Sequence, residues 1–415
     1  MKWTEGIDKL GLGLYFLLCV FAIANIYSVE QKLGEKQLLF FGISLFVGLI
    51  IFFSRSKFFE NMAGIIYIGG VLMLAGLHVF GTEILGQKNW YKFGSFTMQP
   101  VEFAKIGTAL MLANYVSGPD FDLRNTKSLM TALVIIGIPA IAVLSIPDVG
   151  SLLVFTAFFI ALYREGLSGK LFLIGGLFGA VFLIANYLND PLQWSLWYFT
   201  VFIIIIGGLW FAVNATLLRK NIYTLLPGAG VVLLLAVLSF VSPVIFEKLP
   251  KHQQERVEVL YKGEREFRDT SGYNLLYSKT AIGSGGLTGK GYREGSVTQG
   301  KFVPEQETDY IFCTVGEEWG FIGSAVLILS YMVYIGRIYY LAEQQKSTFN
   351  RVFGYCFASI LLMHFSINLG MVMGLFPTVG IPLPYFSYGG SSLLAFSMMT
   401  FIFFKLNYSD KNSLV

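Results

Sequence analysis

Residues 247–309 read EKLPKHQQERVEVLYKGEREFRDTSGYNLLYSKTAIGSGGLTGKGYREGSVTQGKFVPEQETD. Charges of both signs crowd the first half, and the middle, Gly283 to Gly291, is rich in glycine. The rest of the chain alternates between apolar runs and short links. A polar segment of this length is uncommon and is usually functional or disordered. Tyr, Leu, Ile and Phe recur along it, which argues against disorder over its whole length. The segment divides the chain into an N-terminal apolar part (1–246), the loop itself (247–309) and a C-terminal apolar part (310–415), expected to form one integrated membrane domain.

Outward from the loop, composition sets the class. Of 415 residues, 55% are hydrophobic and 13% charged, where a soluble domain carries about 25% charged residues. The 39 phenylalanines suit lipid-facing surfaces. A spanning helix needs about 20 mostly apolar residues. Candidate spans are 10–28, 38–54, 61–82, 101–117, 129–146, 149–164, 171–187, 196–217, 223–244, 310–338, 352–374 and 386–405. The expected fold is therefore an all-α polytopic membrane protein of ten to twelve transmembrane helices. The large extracytoplasmic loop lies between the ninth and tenth predicted spans. The pair 129–146 and 149–164 is separated only by Pro147 and Asp148, so two short helices and one broken helix both fit.

Positive charge in short links orients such a chain. With the N-terminus inside, the inner links carry Arg55, Lys57, Arg124, Lys127, Arg164, Lys170, Arg219, Lys220, Arg337, Lys346, Arg351, Lys405 and Lys411. Lys32, Lys36, Lys88 and Lys92 are the exceptions. The balance puts both termini in the cytoplasm and the loop outside. Trp90, Trp194, Trp197 and Trp319 lie at span ends, as interfacial aromatics do. The polar start, Met1 to Lys9, is not read as a cleavable signal.

Several function classes fall away. A net charge of +4 with no separate basic patch implies no nucleic-acid partner. There is no GxxxxGK[ST] loop and no HExxH motif. His78, His252 and His364 are scattered, and Cys19, Cys313 and Cys356 have neither metal nor disulfide spacing.

Ionisable residues inside the membrane are the functional candidates. Glu102 and Lys105, three apart after Pro100, share a helix face. They act in a wet cavity or form a structural pair at the interface. Asp148 is a second such group, or the cap of a helix beginning at Val149. His364 and Asn368 share a face and suit interhelical hydrogen bonding. One of Glu317 and Glu318 is expected to pair across helices. The tail GIPLPYFSYGGSS (380–392) breaks any helix at its prolines, and its small residues allow close packing. It lies on the same side as the loop, so the two can meet. In the loop, Asp269 stands as a general base or as a solvated turn residue. Gly283 to Gly291 offers backbone N–H groups to an anion, with Lys290 and Arg293 adding charge suited to a diphosphate. Transporter, lipid flippase and lipid-using transferase all fit these features.

The loop and tail together resemble the SEDS family, the RodA/FtsW peptidoglycan polymerases. The matching stretches are GYNLLYSKTAIGSGGLTGKG (272–291), FVPEQETDYIFCTVGEEWGFIG (302–323), GIPLPYFSYGGSSLL (380–394), PVEFAK (100–105) and PDVGS (147–151). They occur in family order, and GIPLP looks like the elongation (RodA) branch. The resemblance implies a glycosyltransferase of the cytoplasmic membrane that polymerises lipid II on its outer face. It makes Asp269 the catalytic base and Glu102 and Lys105 a pair near the substrate. Asp148, Lys290, Ser387 and Tyr388 are the further substrate-binding candidates. It implies membrane lipids as surroundings and a class B penicillin-binding protein, a transpeptidase, as partner. No cofactor is firmly implied, although a divalent cation, Mg or Mn, suits the diphosphate. This sequence departs from the family at Thr270 (usually Pro), Tyr277 (Gln), Glu307 (His) and Asn89 (Arg), so no substrate-binding Arg transfers to Asn89. The family has ten spans against the twelve counted, which makes 171–187 and 196–217 an inserted hairpin. The alternatives to a polymerase are a lipid II flippase and a scaffold for the wall machinery.

Overall fold

A computed structural model of the 415-residue chain describes residues 6–84, 87–94, 96–146, 148–219 and 221–412. Pro147, which with Asp148 separates two of the expected spans, and Lys220, counted among the inner links, lie outside the described residues. The elements in order are α1 (Lys9–Val29), α2 (Gln31–Phe53), α3 (Ser56–Phe80), β1 (Thr82–Ile84), β2 (Gln87–Phe93), β3 (Phe96–Met98), α4 (Pro100–Val116), α5 (Thr126–Leu144), α6 (Val149–Phe155) and α7 (Ala157–Arg164). There follow α8 (Lys170–Asn189), α9 (Leu196–Ala212) with a π-helical turn at Val213–Leu217, α10 (Ile222–Glu247), α11 (Lys251–Lys262), α12 (Tyr273–Ser284) and α13 (Ser296–Gln299). The chain ends with α14 (Ile311–Glu318), α15 (Gly320–Glu343), α16 (Thr348–Val372) and α17 (Gly390–Asn412). Among the described residues ten helices are long and apolar enough to cross a membrane. The other two expected spans are also helical but shorter: α4, with 17 residues, and the α6–α7 stretch. The protein is a multi-pass, all-α membrane protein.

The chain forms two compact units, residues 1–167 with 273–415, and residues 168–272. The boundary at Gly272 falls inside the polar loop.

In the larger unit α16 and α17 are the enclosed helices. Their apolar windows are 78% and 72% buried, against 22–39% for α1, α2 and α3. Lipid supplies no hydrophobic drive for helix association, so close packing of small residues takes its place. A methyl at Gly70 would stand 2.9 Å from the Ala104 Cα, and one at Gly107 would stand 2.9 Å from the Tyr67 Cα. These two glycines let α3 and α4 meet backbone to backbone on either side of Lys105. The aromatic core, Tyr15, Phe353, Phe357, Phe386 and Phe396, is almost fully buried.

The smaller unit is a three-helix bundle with α11 following it. Its spans are joined by polar contacts, Asn186 Nδ2 donating to Ser242 Oγ at 2.7 Å and Thr200 Oγ1 lying 2.8 Å from Ser239 Oγ. Lys262 of α11 pairs with Asp190 at 2.5 Å and Glu258 at 3.4 Å.

Three expectations need correction. Residues 82–98 form a three-stranded antiparallel sheet with pairs Tyr91–Met98, Lys92–Thr97 and Phe93–Phe96. The third span was expected to run to 82, but α3 stops at Phe80 and Trp90 sits on β2. The predicted span 310–338 is two helices, broken between Glu318 and Gly320, whose φ is +64°. The last span begins at Gly390, because Pro382, Pro384 and Tyr385, with φ +66°, hold the chain before it out of helix.

Candidate functional site

The start of α4 builds the centre of the larger unit. Gln99 is extended, Pro100 occupies the first helical turn, and Glu102 follows within that turn, where a carboxylate suits the helix dipole. Lys105 stands on the same face, and its Nζ donates to Glu102 Oε1 at 2.8 Å. Both side chains are buried, at 0% and 1% exposure. Lys105 Nζ also lies 2.8 Å from His364 Nε2 and 5.5 Å from the centroid of the Phe396 ring. Glu102 Oε2 is buried without a hydrogen-bond partner. The pair is thus enclosed.

Asp148 caps α6. Its Oδ1 accepts from the Ser151 amide at 2.9 Å and its Oδ2 from Ser151 Oγ at 2.8 Å. Asn89 Nδ2 donates to the same Oδ2 at 3.3 Å, tying the sheet to the helix start. Gln99 Nε2 lies 3.5 Å from it, and the Gln99 amide donates to Ser391 Oγ at 3.3 Å. The capping alternative is the geometry present.

The tail and the end of the loop meet, as expected. Ser387 Oγ donates to the Thr308 carbonyl at 2.6 Å and accepts from the Leu383 amide at 2.8 Å. The Tyr388 amide donates to the Glu307 carbonyl at 2.8 Å. Asn368 Nδ2 donates to the Asp309 and Ile381 carbonyls at 2.8 and 2.7 Å. Tyr331 hydroxyl donates to the Pro384 carbonyl. Gln37 of α2 completes the lattice, donating to the Ser387 carbonyl and accepting from the Gly389 amide, each at 3.3 Å. Ser387 is therefore held through its hydroxyl, whereas Tyr388 is held through its backbone. Burial pushes the Glu307 carboxyl above its ordinary value.

The end of the glycine-rich stretch spends its N–H groups on the chain itself. The Gly289, Lys290 and Gly291 amides donate to the Gly285, Glu317 and Glu318 carbonyls at 2.9, 3.0 and 3.1 Å. The Phe321 and Ile322 amides return the contact to Gly286 and Leu287 at 2.9 and 3.1 Å. The break between α14 and α15 frees those groups from helical bonding, and glycine alone lets the turn come close enough. A methyl at Gly285 would run into the Gly316 carbonyl, and one at Gly289 into that of Glu318. Lys290 Nζ is held by Glu317 at 2.7 Å and Ser296 at 2.9 Å. Glu317 also accepts from the Val297 and Thr298 amides at 2.9 and 2.8 Å. Glu318 bonds Ser28 of α1 and Gln299, so both glutamates pair, the second of them across helices.

Asp269 belongs to the smaller unit, on the turn between α11 and Gly272. Its carboxylate is 88% exposed, and Arg268 Nε stands 3.7 Å away. The turn is closed by the Thr270 and Gly272 amides on the Phe267 carbonyl, and by Ser271 Oγ on Glu255 Oε2 at 2.9 Å.

Within the larger unit, then, the structure joins Glu102 to Lys105, places Asp148 beside Gln99, and seats Ser387 and Tyr388 on the loop end. Lys290 belongs to the Glu317 clasp. Sequence reasoning missed Gln99 and Gln37, and it did not connect His364 with Lys105. A glutamine before the helix-opening Pro100 was the available signal for Gln99. No local pattern links Lys105 to a residue on α16.

Comparison with known proteins places this geometry. The sequence model of the FtsW/RodA/SpoVE family, described as "Cell cycle protein", matches residues 7–201 and 223–412. Peptidoglycan glycosyltransferase MrdB of Escherichia coli K12 is 30% identical over 388 residues, covering 93% of this chain and 87% of the relative. Peptidoglycan glycosyltransferase RodA of Treponema pallidum is 28% identical over 388 residues, covering 87% of each. A chain from the structure "Structural coordination of polymerization and crosslinking by a peptidoglycan synthase complex" superposes with TM-score 0.72 at 23% identity, covering 98% of this chain and 99% of that one. The crystal structure of the Thermus thermophilus rod shape determining protein RodA gives TM-score 0.65 at 22% identity, covering 99% of each chain. The family model leaves residues 202–222 unmatched, overlapping the stretch expected to carry an inserted hairpin. The chain is a member of the FtsW/RodA/SpoVE family.

Proposed function

We propose that this protein is a peptidoglycan glycosyltransferase that polymerises lipid II at the outer face of the cytoplasmic membrane during cell elongation. The names of its relatives support the activity, and the GIPLP tail supports the elongation branch. The distribution of Lys and Arg over the short links supports cytoplasmic termini and an extracytoplasmic loop.

In this reaction the acceptor's GlcNAc 4-hydroxyl attacks C1 of the donor's MurNAc. A carboxylate takes the hydroxyl proton, undecaprenyl diphosphate leaves, and the anomeric centre inverts. One observation carries the assignment of the base. Asp269 neither caps a helix nor is buried: its side chain is 88% exposed, with Arg268 Nε 3.7 Å away. A general base must reach the proton it removes, and this carboxylate is unobstructed. Ser387, Tyr388, Lys290 and Asp148 are the substrate-binding candidates in the larger unit, with Tyr388 and Lys290 partly exposed and Ser387 and Asp148 buried. Glu102 and Lys105 are enclosed and act on what lies above them. Among the described residues no group of three or more His, Cys, Asp or Glu is placed to hold a metal. A divalent cation on the diphosphate would be held mainly by the phosphates with one or two carboxylates, and no step is routed through one. The solved complex that couples polymerization with crosslinking supports a class B penicillin-binding protein as partner.

The test is glycan synthesis from lipid II by purified protein, with and without its transpeptidase, for wild type and Asp269→Ala. Product from wild type alone supports both the activity and the base. Product from both removes Asp269 from the mechanism. Absence of product from either, with translocation of labelled lipid II in proteoliposomes, would establish the flippase instead.

A further inference from the structure

The enclosed lysine is wired to the tail through one side chain. Lys105 spends one donor on Glu102, directs another to His364 Nε2 at 2.8 Å and faces the Phe396 ring. The other imidazole nitrogen, Nδ1, lies 3.0 Å from the Pro382 carbonyl. A carbonyl only accepts, so Nδ1 carries the proton and Nε2 presents its lone pair to the ammonium. Phe396 packs edge-on against the imidazole at 5.0 Å and 87°, fixing the ring plane. One turn along α16, Asn368 holds the Ile381 and Asp309 carbonyls. His364 and Asn368 share a helix face, and together they grip consecutive carbonyls of the tail. The same tail is bonded to the loop end at Glu307 and Thr308.

We propose that His364 is a positioning residue: it registers the tail 380–388, and through it the loop end 307–309, on the buried charge of Lys105. The hydrogen bond from an ammonium is stronger than one between neutral groups. Removing the imidazole leaves a charged donor and a carbonyl without partners in a site that excludes water. The proposal rests on the polymerase reading only in taking the tail and loop end as the surface that meets substrate; the linkage itself does not depend on it.

The experiment compares full-length wild type, His364→Leu, His364→Gln and Lys105→Met in lipid nanodiscs. Hydrogen exchange is followed in peptides covering 303–310 and 379–389, and polymerisation is measured on the same samples. His364→Leu and Lys105→Met are each expected to speed exchange of the Leu383 and Tyr388 amides about tenfold, with α2 and α3 unchanged. His364→Gln, whose amide replaces one of the two bonds, should fall between them and wild type, and turnover should follow the same order. Unchanged exchange at those amides in His364→Leu overturns the proposal. So does acceleration in His364→Leu with none in Lys105→Met, which would detach the tail from the lysine. Loosening spread over the whole protein in every variant, His364→Gln included, reduces His364 to a packing residue and also overturns it. The expected exchange pattern in a wild type that makes no glycan would keep the linkage and discard the polymerase reading.

Discussion

Lys105–Glu102 and Arg268–Asp269 are both pairs of opposite charge close in sequence, and they could hardly be treated more differently. The first is 2.8 Å apart with both partners essentially unexposed. The second is 3.7 Å apart with 72% and 88% of the side chains exposed. A buried pair is costly to assemble and much costlier to break, because the surviving charge is left without solvent. An exposed pair contributes little to stability and leaves its carboxylate available. The contrast separates two states of an acid: one is fixed in a buried pair, and the other, proposed above as the base, is open to solvent.

The largest expected effect tests the exposed side of that contrast. Asp269→Ala should reduce glycan synthesis about 10²–10⁴-fold, the usual range for a lost general base, with thermal unfolding unchanged. A matching fall in thermal stability would mean the aspartate is structural and would collapse the distinction. On the buried side, Lys105→Met should lower stability by about 3–5 kcal/mol, read from denaturant unfolding in detergent. Adding Glu102→Gln should recover part of that loss, since it removes the stranded charge; a neutral Lys105→Met would break the comparison from the other end.

A smaller pair of effects asks whether the glycine-rich turn is also scaffold. Gly285→Ala drives a methyl into the Gly316 carbonyl and should cost roughly 1–3 kcal/mol, as overpacking does. Gly283, in α12, has open space at the same position, and Gly283→Ala should stabilise by about 0.4–1 kcal/mol. Equal effects would show that the turn is not docked. The smallest effect concerns pH. The hydrogen bond from Lys301, reinforced by its charge, holds the Glu30 carboxyl below its ordinary value. A lowered folded value means that this contribution is full above the unfolded-state pKa and is lost as pH falls through the folded one. Lys301→Ala should therefore lower stability slightly at neutral pH and make no difference in acid. Because the pair is largely exposed, high salt should erase the difference.

The spans were legible because lipid demands long apolar runs, and each expected run is helical. The sheet at 82–98 was not, since strands of three and seven residues carry too short an alternation to stand out. The break before Gly320 was hidden inside an apolar run whose composition suits one helix. What exposes it is the glycine-rich turn some thirty residues earlier, which supplies hydrogen-bond partners for the freed carbonyls. From sequence that turn also reads as an anion nest, because glycine signals close approach of a backbone and the sequence does not say whose. Site residues followed the same rule. Asp148 and the paired Glu102 and Lys105 announced themselves by charge in apolar surroundings, whereas the His364 bond to Lys105 joins residues 259 apart in sequence and only tertiary packing creates it.

The backbone clasp across the helix break has a consequence for how this protein can drift. Five amide–carbonyl bonds hold residues 285–291 to one another and to 317–322, and backbone groups are common to every residue type except proline's missing N–H. Leu287 and Thr288 can change identity freely without loosening the clasp, while Gly285, Gly289 and Gly320 cannot accept even a methyl. Selection on this stretch should therefore appear as glycines frozen in place among neighbours that vary, and an alanine scan would pass silently over the exposed Leu287, Phe321 and Ile322, whose backbone groups make two of its hydrogen bonds.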